Sequence, residues 1–261
     1  MPMLYLLYAV IILVANVLGA VVGMGGGVLI KPLLDMIGAH PLIQINFFSC
    51  VAVLTMALTA SFRARGEAKG SGQPVAALAV GALFGGLVGD GALNWLVNTW
   101  PARTVLQLQV GLTILTLAVA FAYSVWPLAH GHWLRPAVVV ALAAVAGWLA
   151  TLMGIGGGPV NVTLFMAVCG IGIKDAARWS LLTILFSQLA KLAQVVATGQ
   201  LWQFDLRVLW VIIPTAALGG FLGAALSKRF KSARVTWLYR AAIVLVIGIN
   251  AYNGLAVLGL G

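Results

Sequence analysis

Apolar residues follow one another in long unbroken blocks along the chain, and polar residues are confined to the short stretches between the blocks. A helix of about 20 apolar residues crosses roughly 30 Å of hydrocarbon. A transmembrane β-barrel would instead alternate apolar and polar residues in segments of about ten. The pattern therefore predicts an all-α polytopic membrane protein, with apolar blocks near residues 3–22, 45–60, 74–97, 104–126, 136–153, 177–197, 207–226 and 236–258.

The composition favours the same class. Of the 261 residues, 62% are hydrophobic and 8% are charged, and the mean hydropathy is +1.09. A soluble domain needs far more charge to stay in water. The net charge of +10 would suit nucleic acid, but the basic residues lie in short loops, where membrane orientation accounts for them. We therefore expect membrane lipid as a partner and no nucleic acid.

The chain repeats itself at an offset of 131 residues. Residues 23–27, Gly-Met-Gly-Gly-Gly, match residues 154–158, Gly-Ile-Gly-Gly-Gly. The glycine-rich stretch 83–89 recurs at 218–223, three residues later than that offset predicts. Self-similarity at a fixed period indicates a duplicated structural unit. We predict a first repeat over residues 1–126, a cytoplasmic linker over 127–135 and a second repeat over 136–261.

The relative orientation of the two copies follows from the positive residues, because Lys and Arg in short loops mark the cytoplasmic side. If every apolar block crossed the membrane once, five of these residues would lie inside and seven outside. If each glycine triplet is instead the tip of a helical hairpin, the copies have inverted topology, each with three further spanning helices. Ten residues then lie inside, namely Arg63, Arg65, Lys69, Arg135, Lys174, Arg178, Lys228, Arg229, Lys231 and Arg234, and two outside, Arg103 and Arg207. The inverted arrangement is favoured, with both termini on the extracytoplasmic side of the cell (inner) membrane.

Each glycine triplet is predicted to be an unwound backbone segment inside the membrane, where only surrounding protein or a water-filled cavity makes unwinding tolerable. The helix that begins after each triplet presents free N–H donors and roughly half a positive charge. Two such termini that approach the midplane from opposite faces would form an anion site, as in many transporters built from inverted repeats. The predicted binding residues there are Gly25, Gly26, Gly27, Gly156, Gly157 and Gly158.

The alternative role of a membrane glycine is close helix packing. Three consecutive glycines weaken a helix more than packing requires, so this role fits the triplets poorly. It is the favoured interpretation of the isolated glycines, which are Gly19, Gly81, Gly85, Gly89, Gly219 and Gly223.

No cofactor or metal is expected. A dinucleotide-binding motif needs a soluble strand–turn–helix unit with a following acidic residue, and neither accompanies Gly23-x-Gly25; a Gly-Lys-Ser/Thr phosphate loop is also missing from the sequence. Cys50 and Cys169 form neither a disulfide framework nor a metal motif. Because no His lies within an apolar block, the Ser–His pair of an intramembrane protease is not expected, and the chain is not predicted to be an enzyme.

These motifs resemble those of the TauE/SafE family, also called the sulfite exporter or TSUP family. The resemblance rests on two Gly-x-Gly-Gly-Gly motifs, each followed about two dozen residues later by a Ser in an apolar helix, and covers residues 5–255. It implies transport of sulfite, sulfonates such as sulfoacetate, or related small organic anions, whereas the residues alone imply only a small anion. Pro32 follows the first triplet as in the family, but Pro159 directly follows the second. The two hairpins are therefore expected to differ in shape.

Polar side chains near the hairpins are the candidate anion ligands. Asn and Ser donors suit a sulfonate, which accepts several neutral hydrogen bonds without a full counter-charge. Hydrogen bonding between helices is their alternative role. The candidates are Asn46, Ser49, Asn161, Ser180 and Thr183, of which Ser49 and Ser180 occupy equivalent positions in the two copies.

Lys191 is a further candidate ligand, because a cation in mid-span is costly unless it is paired or functional. It either faces the transport path or extends toward the outer interface, and the matching residue of the first copy is Ala60. Lys31 either attracts the anion or pairs with Asp35 at i+4, the favoured alternative. Asp90 is expected in an ion pair or a wet vestibule, and proton coupling is the alternative.

These expectations combine into a secondary transporter that exports small sulfur-containing anions such as sulfite or organosulfonates. A negative-inside potential pushes an anion outward without ATP. A passive or broader-specificity channel or carrier for small anions or carboxylates is the alternative. The sequence leaves the oligomeric state open, with a homodimer among the possibilities.

Overall fold

A computed structural model of the chain describes residues 2–64, 74–127 and 131–258. Within these ranges the chain forms helices and no strands. Two short 3-10 turns, Gln200–Gln203 and Leu206–Val208, precede α9. In chain order the helices are α1 (Pro2–Val22), α2 (Gly27–Ile37), α3 (Leu42–Ala64), α4 (Val75–Thr99), α5 (Ala102–Val125), α6 (Pro136–Leu152), α7 (Pro159–Cys169), α8 (Ile173–Ala197), α9 (Leu209–Arg229) and α10 (Ser232–Leu258).

Seven of the described helices are long and apolar enough to cross a membrane. The other three are α6, with 17 residues, and α2 and α7, with 11 each. Eleven residues make a helix of only about 16 Å, about half the hydrocarbon thickness. Large apolar side chains such as Phe84 and Trp210 lie on the outer surface, 65% and 84% exposed, as lipid contact requires. The prediction of an all-α multi-pass membrane protein is confirmed.

The helix boundaries differ from the apolar blocks mainly where a helix extends beyond the membrane. α8 begins at Ile173, four residues before the block at 177–197. Its first turn carries Asp175, and a carboxylate there interacts favourably with the positive end of the helix dipole. Hydropathy alone misses this polar first turn.

A glycine-containing break separates the two helices of each hairpin, and the two breaks differ in shape, as expected. The first lies two residues earlier in the chain than the predicted segment of Gly25, Gly26 and Gly27. α1 ends at Val22, Gly26 already has α-helical dihedral angles and Gly27 is the first residue of α2, so the unwound backbone covers residues 23–25. In the second break Gly158 is extended and Pro159 begins α7, where its missing N–H costs no hydrogen bond.

Equivalent helices of the two halves run in opposite directions where they touch. Along α3 and α8, the Cys50 thiol donates to the carbonyl of Gln188, whereas Ala60 lines one cavity with Leu181. Residue numbers thus rise along α3 as they fall along α8. α5 and α10 meet in the same way, since Ser124 contacts Arg240 and Val110 lies beside Gly254. The orientation of each half in a membrane stays a prediction.

Five of the six glycines assigned to packing lie at close helix contacts, whereas Gly19 lies against Gly25 and Gly26 of the first break. A Cβ on Gly81 or Gly85 would collide with backbone carbonyl groups of α6. Gly219 and Gly223 face α1 in the same way, where a Cβ on Gly223 would lie 2.5 Å from the Val17 carbonyl oxygen. Because both contact sets join one half to the other, these glycines hold the halves together.

Basic residues from three helices meet at one end of the helix bundle. The Lys228 ammonium donates to the Arg63 carbonyl oxygen at 3.1 Å, and Lys174 and Arg178 line a cavity together with Lys228. The C-terminal ends of α3 and α9 and the N-terminal end of α8 therefore lie at one face, as the inverted arrangement requires. Arg65, Lys69 and His130 lie outside the described residues.

Candidate functional site

The two glycine breaks meet each other at the buried centre of the protein. A Cβ on Gly25 would lie 3.3 Å from the Gly156 carbonyl oxygen, and a Cβ on Gly27 would collide with the Ile155 carbonyl group. Gly25 has a φ of +73° and Gly157 a φ of +100°, which side chains rarely tolerate. Glycine is therefore required in both breaks, by backbone conformation and by lack of space.

Two helix N-termini begin at this meeting point. α2 starts at Gly27 and α7 at Pro159, and both are buried. The first N–H groups of a helix have no carbonyl partner four residues earlier in it, and they carry the positive end of its dipole. α7 offers fewer of them than α2, because Pro159 has no N–H. The Asn161 N–H donates to the Gly158 carbonyl. The centre of the protein thus offers hydrogen-bond donors and partial positive charge. The Lys31 side chain also reaches Gly154, but its ammonium group is paired with Asp35.

Three predicted ligands surround the breaks with buried polar atoms that have no hydrogen-bond partner among the described residues. They are both amide atoms of Asn46, the Ser49 hydroxyl and the Asn161 amide nitrogen. Asn46 lies against Gly154, Ser49 against Gly27 and Asn161 against Gly157. An unsatisfied buried polar group costs about 1–3 kcal/mol, so these four atoms on three residues make the surroundings of the breaks the candidate site.

Asn16 of α1 is a fourth residue near the breaks with an unpartnered side chain, and it was not predicted as a ligand from the sequence. It is fully buried, both of its amide atoms lack a partner, and its oxygen lies against Gly26. An Asn in an otherwise apolar helix was the available signal. Its counterpart at the repeat offset is Gly147, so comparison of the two copies did not single it out.

Ser180 and Thr183 are also buried near the breaks, but their hydroxyl groups already donate to backbone carbonyl oxygens. The Ser180 hydroxyl donates to the Gly23 carbonyl oxygen at 2.6 Å and so holds the first break against α8. The Thr183 hydroxyl donates to Trp179 of its own helix at 3.0 Å. The equivalent residues Ser49 and Ser180 therefore differ in hydrogen bonding, because the Ser49 hydroxyl has no partner among the described residues.

Lys191 does not extend to the membrane surface. Its side chain is 5% exposed, and its ammonium group lies 3.7 Å from a carboxylate oxygen of Asp90, which is 3% exposed. The other oxygen of Asp90 accepts from the Asn94 amide at 3.1 Å. Lys31 pairs with Asp35 at 2.7 Å, as the i+4 spacing predicted.

Two cavities approach the breaks from opposite ends of the bundle. The first, which we call the basic cavity, is lined by Ala20, Ala60, Ala64, Lys174, Ala177, Arg178, Leu181, Ala224, Ser227 and Lys228. The second, the paired-charge cavity, is lined by Ile43, Asn46, Phe47, Asp90, Leu93, Asn94, Lys191, Val195, Gln200 and Phe204. Nearly every residue of one cavity matches a residue of the other at the repeat offsets. Ala177 of the basic cavity lies against Gly23, and Asn46 of the paired-charge cavity lies against Gly154.

Comparison with known proteins agrees with this architecture. The profile of the family described as "Sulfite exporter TauE/SafE" matches residues 8–251. The "Probable membrane transporter protein YunE" of Bacillus subtilis (strain 168) is 28% identical over 122 residues, which cover 46% of this chain and 43% of that protein. The match thus spans less than half the length of that relative. No solved structure matches the chain.

The family profile covers nearly all of the described helices and both glycine breaks. The chain therefore belongs to the sulfite exporter TauE/SafE family and is a multi-pass membrane protein.

Proposed function

We propose that the protein is a secondary transporter of small sulfur-containing anions, such as sulfite or organosulfonates, and that the anion binds where the two breaks meet at the membrane midplane. The observation that carries the proposal is the set of buried, unpartnered donors on Asn46, Ser49 and Asn161 beside two helix N-termini. A three-oxygen anion would accept hydrogen bonds from several of them at once.

Neutral donors suit an anion that must both bind and leave. A hydrogen bond to a charged group contributes about 1.5–3 kcal/mol, and each helix N-terminus adds about 0.3–1 kcal/mol. Three or four such contacts offset the cost of removing a small anion from water without the strong attraction of a buried cation. We therefore assign the breaks as the selective site.

The two cavities supply a path to each face. They are related by the repeat, and antiparallel contacts between α3 and α8 support the inverted arrangement of the halves. In transporters of this design, rocking of one repeat against the other opens a central site to each side in turn. The basic cavity, with Lys174, Arg178 and Lys228, lies at the end of the bundle predicted to be cytoplasmic.

Export is the direction we assign. A monoanion that leaves a negative-inside cell gains about 2.3 kcal/mol per 100 mV of membrane potential. The basic cavity attracts anions on the cytoplasmic side, where they are to be collected. The family description supports sulfur chemistry for the substrate.

Flux of ³⁵S-sulfite in proteoliposomes tests the proposal. We expect saturable uptake that unlabelled sulfite inside the vesicles accelerates, because carriers show trans-stimulation and channels do not. Gly157→Ala should abolish the flux, since its Cβ would lie 2.9 Å from the Asn161 amide nitrogen in a backbone conformation with a φ of +100°. Gly248→Ala is the matched control, because a Cβ at this helical glycine would meet nothing within 4 Å.

Absence of sulfite and sulfonate flux in the unmodified protein would contradict the proposal. Flux without trans-stimulation would instead indicate an anion channel. Normal flux in Gly157→Ala would place the anion elsewhere in the molecule.

A further inference from the structure

The paired-charge cavity contains an ion pair that the fold itself does not need. Asp90 of α4 and Lys191 of α8 are both almost fully buried. At the equivalent positions of the basic cavity the chain has Ala224 and Ala60. Since two alanines fill the same helix contact in the other half, the pair serves something specific to this cavity.

The ion pair is long, and each partner can interact with another group when the pair opens. The distance of 3.7 Å between the Lys191 ammonium and the nearer Asp90 oxygen is longer than a good charge-assisted hydrogen bond. Asn94 donates to the other carboxylate oxygen at 3.1 Å and can hold Asp90 when Lys191 turns away. Lys191 lines the same cavity as Asn46, which contacts the second break. An anion between the breaks and this face thus passes the ammonium group.

The charged groups near the cavity determine how strongly it can bind an anion. Lys191 and Asp90 are the charged residues among those that line the cavity. The Cys50 thiol of α3 donates to the Gln188 carbonyl at 3.6 Å. Lys31 of α2 reaches the neighbouring Gly154 but is bound to Asp35 at 2.7 Å. A second anion beside one ammonium group would leave an uncompensated buried charge, which is costly.

We propose that Lys191 is a second, outer anion site and that Asp90 is a built-in competitor for it. This inference rests on the proposed function. An anion that leaves the breaks replaces the Asp90 carboxylate at Lys191, and return of Asp90 then expels the anion toward the outer face. The result is weak binding of external anions and efficient release of exported ones, while the equilibrium distribution of the anion is unchanged.

The test compares half-saturation on the two faces with ³⁵S-labelled isethionate, whose sulfonate group stays ionised over a wide pH range. Right-side-out membrane vesicles report the outer face and inside-out vesicles report the cytoplasmic face. Asp90→Asn removes the competing charge and keeps the shape. We expect the external half-saturation concentration to fall at least about tenfold, with the cytoplasmic value changed by less than about twofold.

The double variant Asp90→Ala/Lys191→Ala is the control. It places in this cavity the residues that the other half already has, so we expect it to fold and insert. It should show none of the affinity gain of Asp90→Asn, because the gain requires the ammonium group of Lys191. An equal gain in the double variant, or unchanged external half-saturation in Asp90→Asn, would overturn the inference.

A second variant covers the case in which Asp90→Asn fails to insert. Asp90→Ala also removes the competing carboxylate and introduces the residue that stands at the equivalent position of the other half. It should lower the external half-saturation concentration while Lys191 is present, and an equal change in the double variant would overturn the inference. No isethionate or sulfite flux in the unmodified protein would contradict the proposed function itself. Normal flux in the unmodified protein, without the expected fall in external half-saturation in the Asp90 variants, would contradict only the role of Asp90.

Discussion

Ser49 and Ser180 occupy equivalent positions in the two halves, yet their replacement by alanine is predicted to have opposite consequences. Ser180 holds the Gly23 carbonyl oxygen at 2.6 Å, whereas the buried Ser49 hydroxyl has no partner among the described residues. Ser180→Ala leaves a buried carbonyl group unsatisfied, at a cost of about 1–3 kcal/mol of unfolding free energy. Ser49→Ala removes a buried group that lacks a partner, so stability should stay the same or rise slightly.

Anion affinity should respond in the opposite way. If Ser49 donates to the bound anion, its loss removes a hydrogen bond to a charged acceptor, about 1.5–3 kcal/mol. That energy corresponds to a roughly 10- to 150-fold increase in the dissociation constant for sulfite. Ser180→Ala should bind sulfite within a few fold of the unmodified protein, provided that binding is measured well below its unfolding temperature.

Two assays on protein purified in detergent separate these effects. Thermal unfolding followed by tryptophan fluorescence reports stability, and isothermal titration with sulfite reports affinity. A Ser49→Ala variant that is less stable but binds sulfite normally would refute the assignment of Ser49 to the anion. A Ser180→Ala variant with normal stability and weakened binding would refute the structural role of Ser180.

Three further substitutions test other parts of the account. Gly27→Ala should abolish sulfite flux, because its Cβ would collide with the Ile155 carbonyl group, whereas Gly111→Ala, with nothing within 4 Å of its Cβ, should transport normally. Asn16→Ala should weaken sulfite binding without loss of stability, since both amide atoms are buried and unpartnered; unchanged binding would exclude Asn16 from the site. Ser232→Cys should react with a membrane-impermeant maleimide in inside-out vesicles, because Ser232 is exposed at the start of α10, at the end of the bundle predicted to be cytoplasmic. Both native cysteines are buried and should contribute little background labelling. Labelling from outside intact cells would contradict the inverted topology.

The helices and both breaks could be predicted from the sequence because they depend on local properties. Apolar blocks of span length and consecutive glycines act through hydration, backbone entropy and steric freedom, which neighbouring residues determine. The basic loops also carried information, since their positions report the membrane side of each connection. The first break was predicted two residues too late in the chain, because glycine can also begin a helix, as Gly27 does.

The roles of individual polar side chains could not be predicted in the same way. Ser49 and Ser180 have similar apolar surroundings in the sequence, and only the approach of Gly23 to α8 commits one of them to a backbone carbonyl. The pairing of Lys191 with Asp90 joins residues far apart in the chain, and it depends on how α4 docks against α8. Such contacts follow from tertiary packing, which the periodicity of one helix does not contain.

The most direct test of the central claim is the location of a bound anion. Selenite has the shape and charge of sulfite, and its selenium atom gives an anomalous X-ray signal. In crystals grown with selenite, we expect a peak between the two breaks, within hydrogen-bonding distance of Asn46, Ser49 and Asn161. A selenium peak confined to the basic cavity beside Lys174, with none between the breaks, would contradict the account.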